Sequence, residues 1–301
     1  MTQPILLLDT YSVLFRAQYA LPPMNTSAGE PTSALYGFFS VFLKLLREHR
    51  PRGVAFALDA PAQTFRHARY EAYKATRDAA PEQLRPQLGR LDEILQALEL
   101  PAFRVPGYEA DDLLATLAAR LEERGDFVLV VSGDRDLLQL ASERTHVHFI
   151  GRRGAPAETY DPVAVRKRFG VEPRLLPDYV ALVGDTSDNL PGVPGIGPRT
   201  AAALISSFGG TRELLLGLDR VSARTRRALE ENRDQLVLNA ELARLRTDVP
   251  LGTRELHGPL TGGVLDRLAE IFTALEFRSL EPRLEALKSV LATDAAARNT
   301  P

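Results

Sequence analysis

The sequence predicts an α/β fold, a mostly parallel central sheet flanked by helices and followed by a helical region. Three short, continuous apolar runs read as buried strands: Pro4-Ile5-Leu6-Leu7-Leu8, Val54-Ala55-Phe56-Ala57-Leu58 and Phe127-Val128-Leu129-Val130-Val131. Each run ends at an acid or at a turn leading to one: Asp9, Asp59, and Ser132-Gly133-Asp134. Helix-spaced apolar residues separate the runs, the alternation expected of parallel strands joined by crossover helices.

After the first strand, residues 32–49 carry Leu35, Phe38, Phe39, Phe42 and Leu46 on one helical face. The second strand follows directly. Residues 62–85 lack a strong apolar period, whereas Leu88, Leu91, Leu95 and Leu98 resume a helix that leads into a short strand over 100–105. Pro106-Gly107 then turns the chain into a helix over 109–124, with Leu113, Leu114, Leu117 and Leu121 buried and Gly125 as the stop. The third strand leads to another helix beginning at Leu137, Leu138 and Leu140. His146-Val147-His148-Phe149-Ile150 reads as a further strand whose histidines form a polar face, without a metal role. From about residue 185 the pattern is helical. The expected division is a core over 1–185, a helical region over 186–290 and a mobile tail over 291–301.

Composition narrows the chemistry. The chain has 301 residues, 45% of them hydrophobic, enough for a substantial core. There is no Cys, which removes disulfides, thiolate catalysis and thiolate metal sites. No run of about 18 apolar residues exists to span a bilayer, and Met1 leads straight into a strand, so the expectation is a cytoplasmic protein without a leader or membrane contact.

Nine carboxylates fall in five clusters: Asp9; Asp59; Glu109, Asp111 and Asp112; Asp134 and Asp136; Asp185 and Asp188. In an open parallel sheet the carboxyl ends of the strands line the ligand crevice, so these acids are expected to converge. Acids in the first turn of a helix also complement its dipole, but three within residues 109–112 exceed that need. Like charges gathered in one cleft destabilise the fold unless cations neutralise them, and hard divalent ions suit oxygen ligands. Although the net charge is −2, setting the nine acids aside leaves 30 Asp and Glu against 37 Lys and Arg, a balance of +7. A positive surround with an acidic centre suits a phosphate polyanion.

Gly192-Val193-Pro194-Gly195-Ile196-Gly197 precedes a helix that begins near Pro198-Arg199-Thr200. Such a turn leaves backbone N–H groups open to a phosphate, with Ile196 plugging the core, and implies duplex binding without sequence preference.

These stretches together resemble the 5′ nuclease family, which comprises the 5′-to-3′ exonuclease domain of bacterial DNA polymerase I, phage 5′ exonucleases and flap endonucleases. The similarity rests on Leu7-Leu8-Asp9, Gly29-Glu30-Pro31-Thr32 with Tyr36-Gly37-Phe38, Phe65-Arg66 with Tyr73-Lys74-Ala75-Thr76-Arg77, Pro106 through Asp112, Gly133-Asp134-Arg135-Asp136, and Gly184 through Ala201. It implies a PIN-like nuclease core, a helical arch at about 62–85 and a helix-hairpin motif gripping duplex DNA. By the same resemblance, Asp9, Asp59, Glu109 and Asp111 correspond to ligands of a first metal, and Asp134, Asp136 and Asp188 to ligands of a second. Asp112 and Asp185 complete the acidic set.

The ions implied are Mg2+ or Mn2+, two or more, with a potassium ion that the hairpin of the family often holds through backbone carbonyls. Lys74 and Arg77 correspond to residues contacting the scissile phosphate. Arg16, Arg66, Arg69, Tyr70 and Tyr73 are expected to contact DNA, cations for phosphates and rings for bases, together with Gly192, Gly195, Ile196, Gly197, Arg199 and Thr200. Thr10 stands where Gly is frequent and Arg135 where Lys is usual; neither change removes a ligand.

The function implied is a structure-specific 5′-3′ exonuclease and 5′-flap endonuclease acting in Okazaki-fragment primer removal and excision repair. Its partners would be duplex DNA with a 5′ flap, overhang or nick and RNA primer 5′ ends. A free-standing, monomeric, nucleoid-associated enzyme is the simplest form, with a polymerase fragment as the other. A PIN-like ribonuclease and a junction-binding module with structural acids are the alternatives; the glycine hairpin counts against the first and the complete acidic set against the second.

Overall fold

The computed structural model describes residues 3–77, 79–151 and 155–298. In chain order the elements are β1 (Ile5–Asp9), α1 (Thr10–Ala20), α2 (Ser33–His49), β2 (Gly53–Ala57), α3 (Phe65–Arg69), α4 (Leu84–Leu98), β3 (Ala102–Phe103), α5 (Ala110–Glu123) and β4 (Val128–Ser132). A 3-10 turn over Asp136–Leu140 follows, then β5 (Thr145–Phe149), β6 (Glu158–Tyr160), α6 (Pro162–Phe169), α7 (Leu176–Val183), β7 (Gly184–Asp185) and β8 (Leu190–Pro191). The remainder is helical: α8 (Pro198–Phe208), α9 (Thr211–Leu216), α10 (Ala223–Glu231), α11 (Arg233–Ala243), α12 (Gly262–Ala274) and α13 (Glu281–Arg298).

The main sheet has the order β3-β2-β1-β4-β5-β6, with β6 antiparallel to β5 and the other pairs parallel. Chain order runs outward in both directions from β1, so the switch point lies between β1 and β4. Ligands bind in the crevice outside the strand ends at such a point. Asp9 ends β1, and the 132–136 turn leaves β4 beside it.

Side chains alternate strictly across the sheet. Ile5, Leu7, Ala55, Ala57, Val128 and Val130 face α5 and the C-terminal helices, where Leu113, Leu114, Leu117 and Leu121 cover them. Leu6, Leu8, Val54, Phe56, Leu129 and Val131 face α1, α2, α4, α12 and α13. Phe38 and Phe39 of α2 meet edge to face at 5.2 Å, and Phe39 meets Phe272 of α12 at 5.4 Å. The last two helices thus pack back onto one face of the sheet, while α7 to α11 pack on one another around the 192–197 turn and share the apolar cluster of the other face.

Most of the expected tail over 291–301 is helical, as α13 continues through Arg298; residues 299–301 lie outside the described residues. Among the described residues, no helix is long and apolar enough to cross a membrane.

The histidines of β5 have structural surroundings. His148 is buried, its Nδ1 lies 3.1 Å from Thr159 Oγ1, and its ring meets His49 edge to face at 5.6 Å. Burial, with His49 and Lys44 adding repulsion, lowers its pKa from 6.5 to about 4. The unfolded chain therefore takes up this proton first. The contribution of the neutral ring to stability is intact above pH 6.5 and is lost as pH falls towards 4. Proton NMR should show His148 titrating near pH 4, and an imidazole titrating at its ordinary value would contradict this packing.

Candidate functional site

Asp9 serves as N-cap of α1, accepting from Ser12 N at 3.2 Å, while the hydroxyl of Ser132 donates to its other oxygen. Asp59 follows β2 and accepts from Ala110 N at 2.9 Å, which ties the end of the strand to the start of α5. Glu109 is the N-cap of α5 and Asp111 lies in its first turn. Asp134 accepts from Asp136 N at 3.0 Å, which orients its carboxylate across Arg135. Asp9, Asp59, Glu109, Asp111 and Asp134 line a cleft of about 1170 Å³ at the switch point, together with Arg16, Lys74 and Arg77.

The charges interact strongly. Burial raises Asp9 to about 7, with Asp59 and Asp134 adding repulsion against the hydrogen bonds from Ser132 and Ser12. Asp111 and Asp136 lie well above the usual carboxylate range, chiefly through burial and then through Asp134 beside both. Asp188 and Asp185 add further repulsion at Asp136. Burial also raises Asp59 and Asp134. This is an oxygen-only donor set carrying more negative charge than its protein cations offset, and such a set fits hard divalent ions. Among the described residues, no three acidic or imidazole side chains are gathered as a closed ligand set.

The segment before α4 crosses this cleft. Its described helix is α3 alone; residues 71–76 form turns, with Lys74 at φ +56°. Position 78 lies outside the described residues. Lys74 Nζ lies 2.9 Å from Glu109 Oε1 and Arg77 Nη2 lies 2.7 Å from Asp188 Oδ1. Burial acts to lower the pKa of Lys74, but Glu109 and Asp188 outweigh it and hold the ammonium above its ordinary range. Both predicted phosphate contacts therefore meet the acidic cleft.

Several expected roles are corrected. Asp112 is fully buried, and its two oxygens receive Arg66 at 2.7 and 2.9 Å, Arg246 N at 2.9 Å and Glu109 N at 3.2 Å. It is a structural partner, turned away from the cleft, and not a metal ligand. Arg66, 1% exposed, is not a DNA contact for the same reason; it also donates to Leu242 O at 2.8 Å and Arg244 O at 3.3 Å. Tyr73 is buried among Leu190 and Leu242 and cannot stack on a base, while Tyr70 packs half-buried on the same cluster. Arg69 is exposed, but both arms of its guanidinium bind Glu241 at 3.0 and 2.7 Å.

Arg16 lines the cleft and donates to Gly133 O, with its guanidinium 5.4 Å from the Phe149 ring centre. A Cβ at Gly133 would collide with Arg16, so the glycine permits this approach. Asp185 Oδ1 accepts from Ser187 N at 2.6 Å, Ser187 Oγ at 2.7 Å and Asp188 N at 3.3 Å, ordering the loop that presents Asp188.

In the 192–197 turn, Gly195 adopts φ +81° and Gly197 caps α8, whose Arg199 and Thr200 are exposed. Ile196 is buried, so its side chain anchors the turn. At Gly192 a Cβ would stand 2.2 Å from Val183 O, so the glycine is required for packing against α7. Sequence reasoning missed Arg224, which places Nη2 3.8 Å from where a Cβ of Gly195 would sit. The signal was present as the basic run Arg224, Arg226 and Arg227 in α10.

Residues 4–170 match the family description 5′-3′ exonuclease, N-terminal resolvase-like domain, and residues 171–259 match 5′-3′ exonuclease, C-terminal SAM fold. A 5′-3′ exonuclease of Aquifex aeolicus is 38% identical over 274 residues, covering 91% of this chain and 92% of that protein. DNA polymerase I of Mycobacterium tuberculosis is 43% identical over 282 residues, 93% of this chain but 31% of the polymerase. The chain thus spans about a third of the length of its polymerase relatives. Among solved structures, T5 5′-exonuclease with bound zinc superposes with a TM-score of 0.67 at 19% identity, covering 95% of this chain and 98% of that one. The catalytic core of Rad2 with DNA substrate gives 0.62 at 17% identity, covering 95% and 92%. These two share the fold.

Removing one partner of a buried ion pair strands the other charge, a loss of about 3–5 kcal/mol. Asp112→Ala should destabilise the protein by that amount in urea denaturation, with Arg66→Met/Asp112→Leu recovering most of it. A small loss accompanied by weaker divalent-ion binding would instead make Asp112 a ligand.

Proposed function

This chain belongs to the 5′-3′ exonuclease family, and on that premise we propose that it is a structure-specific 5′-3′ exonuclease and 5′-flap endonuclease hydrolysing DNA phosphodiesters. The observation that carries the reading is the cleft at the β1/β4 switch point, where Asp9, Asp59, Glu109, Asp111 and Asp134 meet Lys74 and Arg77. Asp136 and Asp188 extend the acidic set from its side. Two divalent ions, Mg2+ or Mn2+, would acidify an attacking water there and stabilise charge on the scissile phosphate. The protein contributes the orientation of the carboxylates and two cations for the phosphate.

Lys74 and Arg77 are poised for that work. Both sit at the cleft edge on carboxylates, and a substrate phosphate offers the same charge-assisted contacts. Gly195, Gly197, Arg199, Thr200 and Arg224 would hold the downstream duplex through its phosphates, without reading bases. A potassium ion at the carbonyls of this turn belongs to the same reading. The substrates proposed are 5′ flaps, overhangs and nicks in duplex DNA and RNA primer 5′ ends, met by a monomer at the nucleoid in primer removal and excision repair.

The test is cleavage of an end-labelled 5′-flap duplex with Mg2+, Mn2+ or chelator, beside a matched RNA flap. Asp136→Ala should lower kcat by on the order of 1,000-fold, several kcal/mol of lost charge stabilisation, while flap affinity stays within about threefold. Lys74→Ala should lower kcat about 100-fold, the scale for losing one donor to a developing anion. Tight flap binding with no metal-dependent cleavage would assign the chain to junction binding, and preference for RNA without regard to the junction would make it a ribonuclease.

A further inference from the structure

Three residues of the cleft-crossing segment engage all four carboxylate oxygens of Glu109 and Asp188. Lys74 takes Glu109 Oε1 at 2.9 Å and Arg77 takes Asp188 Oδ1 at 2.7 Å. The Tyr73 hydroxyl lies 3.1 Å from Glu109 Oε2 and 2.8 Å from Asp188 Oδ2. Glu109 belongs to the N-terminal family region and Asp188 to the C-terminal one, so this hydroxyl joins acids from both.

The three contacts differ in kind. Dications arriving beside Glu109 and Asp188 would repel the ammonium of Lys74 and the guanidinium of Arg77. The neutral phenol is not repelled, and each carboxylate oxygen has a second lone pair for an ion. The Tyr73 ring is also fixed: it is 3% exposed, packs against Leu190 and Leu242, and meets His67 edge to face at 5.3 Å. Its backbone is held on both sides, as Lys74 N donates to Asp188 O at 3.1 Å and Asn189 Nδ2 donates to Ala72 O at 2.7 Å. The single proton of this fixed hydroxyl is shared between Asp188 Oδ2, the nearer, and Glu109 Oε2, so one donor stands between the two ligands and ties their positions together.

We propose that Tyr73 is a positioning residue of the metal centre, holding Glu109 and Asp188 at one spacing so that ligands from the two family regions receive ions together. The proposal rests on the two-ion reading above. Partners that orient metal ligands without touching the ion are typically worth 10–100-fold in metal affinity.

Tyr73→Phe removes one oxygen and keeps the packed ring. Calorimetric titration of the full chain with Mn2+, without DNA, should show affinity about tenfold weaker in Tyr73→Phe. Its effect should vanish in an Asp188→Asn/Glu109→Gln background, as expected for residues acting as one unit. Flap cleavage should need correspondingly more Mn2+, with the rate recovered at high Mn2+ and flap affinity without metal unchanged. Equal or tighter Mn2+ binding by Tyr73→Phe would overturn the proposal while leaving the nuclease reading intact. A native chain that takes up no Mn2+ would overturn both.

Discussion

Mutual repulsion among carboxylates at the ends of β1, β2 and β4 governs the architecture around the cleft. A buried like-charge set of this kind persists only where hydrogen bonds and cations offset it. Asp9 is held by Ser12 N and the Ser132 hydroxyl, Asp59 by Ala110 N, Asp134 by Asp136 N, and Glu109 and Asp188 by Lys74, Arg77 and Tyr73. Three of those donors, Ser12 N, Ala110 N and Asp136 N, are backbone groups at strand-to-helix turns. The fold therefore places the acids and restrains them with the same turns.

The segment carrying Lys74 and Arg77 reaches the cleft because its near end is anchored elsewhere. Arg66 inserts between α5 and the loop after α11, where Asp112 and the carbonyls of Leu242 and Arg244 satisfy its guanidinium. A pair with both partners fully hydrogen-bonded tolerates burial, whereas either one alone would not. This anchor joins α3, α5 and the C-terminal helices at one point, and Tyr73 makes the second junction seven residues later. The cleft cations Lys74 and Arg77, the Arg66 anchor and the Tyr73 hydroxyl are thus distributed over one short stretch of chain.

The strand ends and their acids were legible because buried parallel strands make continuous apolar runs, and the acid at each end marks the crevice. Glu109 and Asp111 were legible as an excess over the needs of a helix dipole. Asp112 was not separable from them, because its partner Arg66 is 46 residues away and nothing local signals that pairing. Tyr73 was misread for a similar reason: beside Lys74 it reads as a stacking ring, and only the approach of Leu190 and Leu242 buries it. Helix α1 escaped notice since its buried residues Val13, Leu14 and Ala17 are few and small, and β6 since a three-residue edge strand carries almost no period. Gly192 read as part of a phosphate-binding turn, while its need for space is set by Val183 across the β7–β8 pair.

On the proposed reading, these carboxylates from two regions of the chain form one two-ion centre. Anomalous diffraction from crystals soaked in Mn2+ tests it most directly. Two peaks about 4 Å apart are expected, one among Asp9, Asp59, Glu109 and Asp111 and the other among Asp134, Asp136 and Asp188. A single peak, or ions bound away from the cleft, would contradict it.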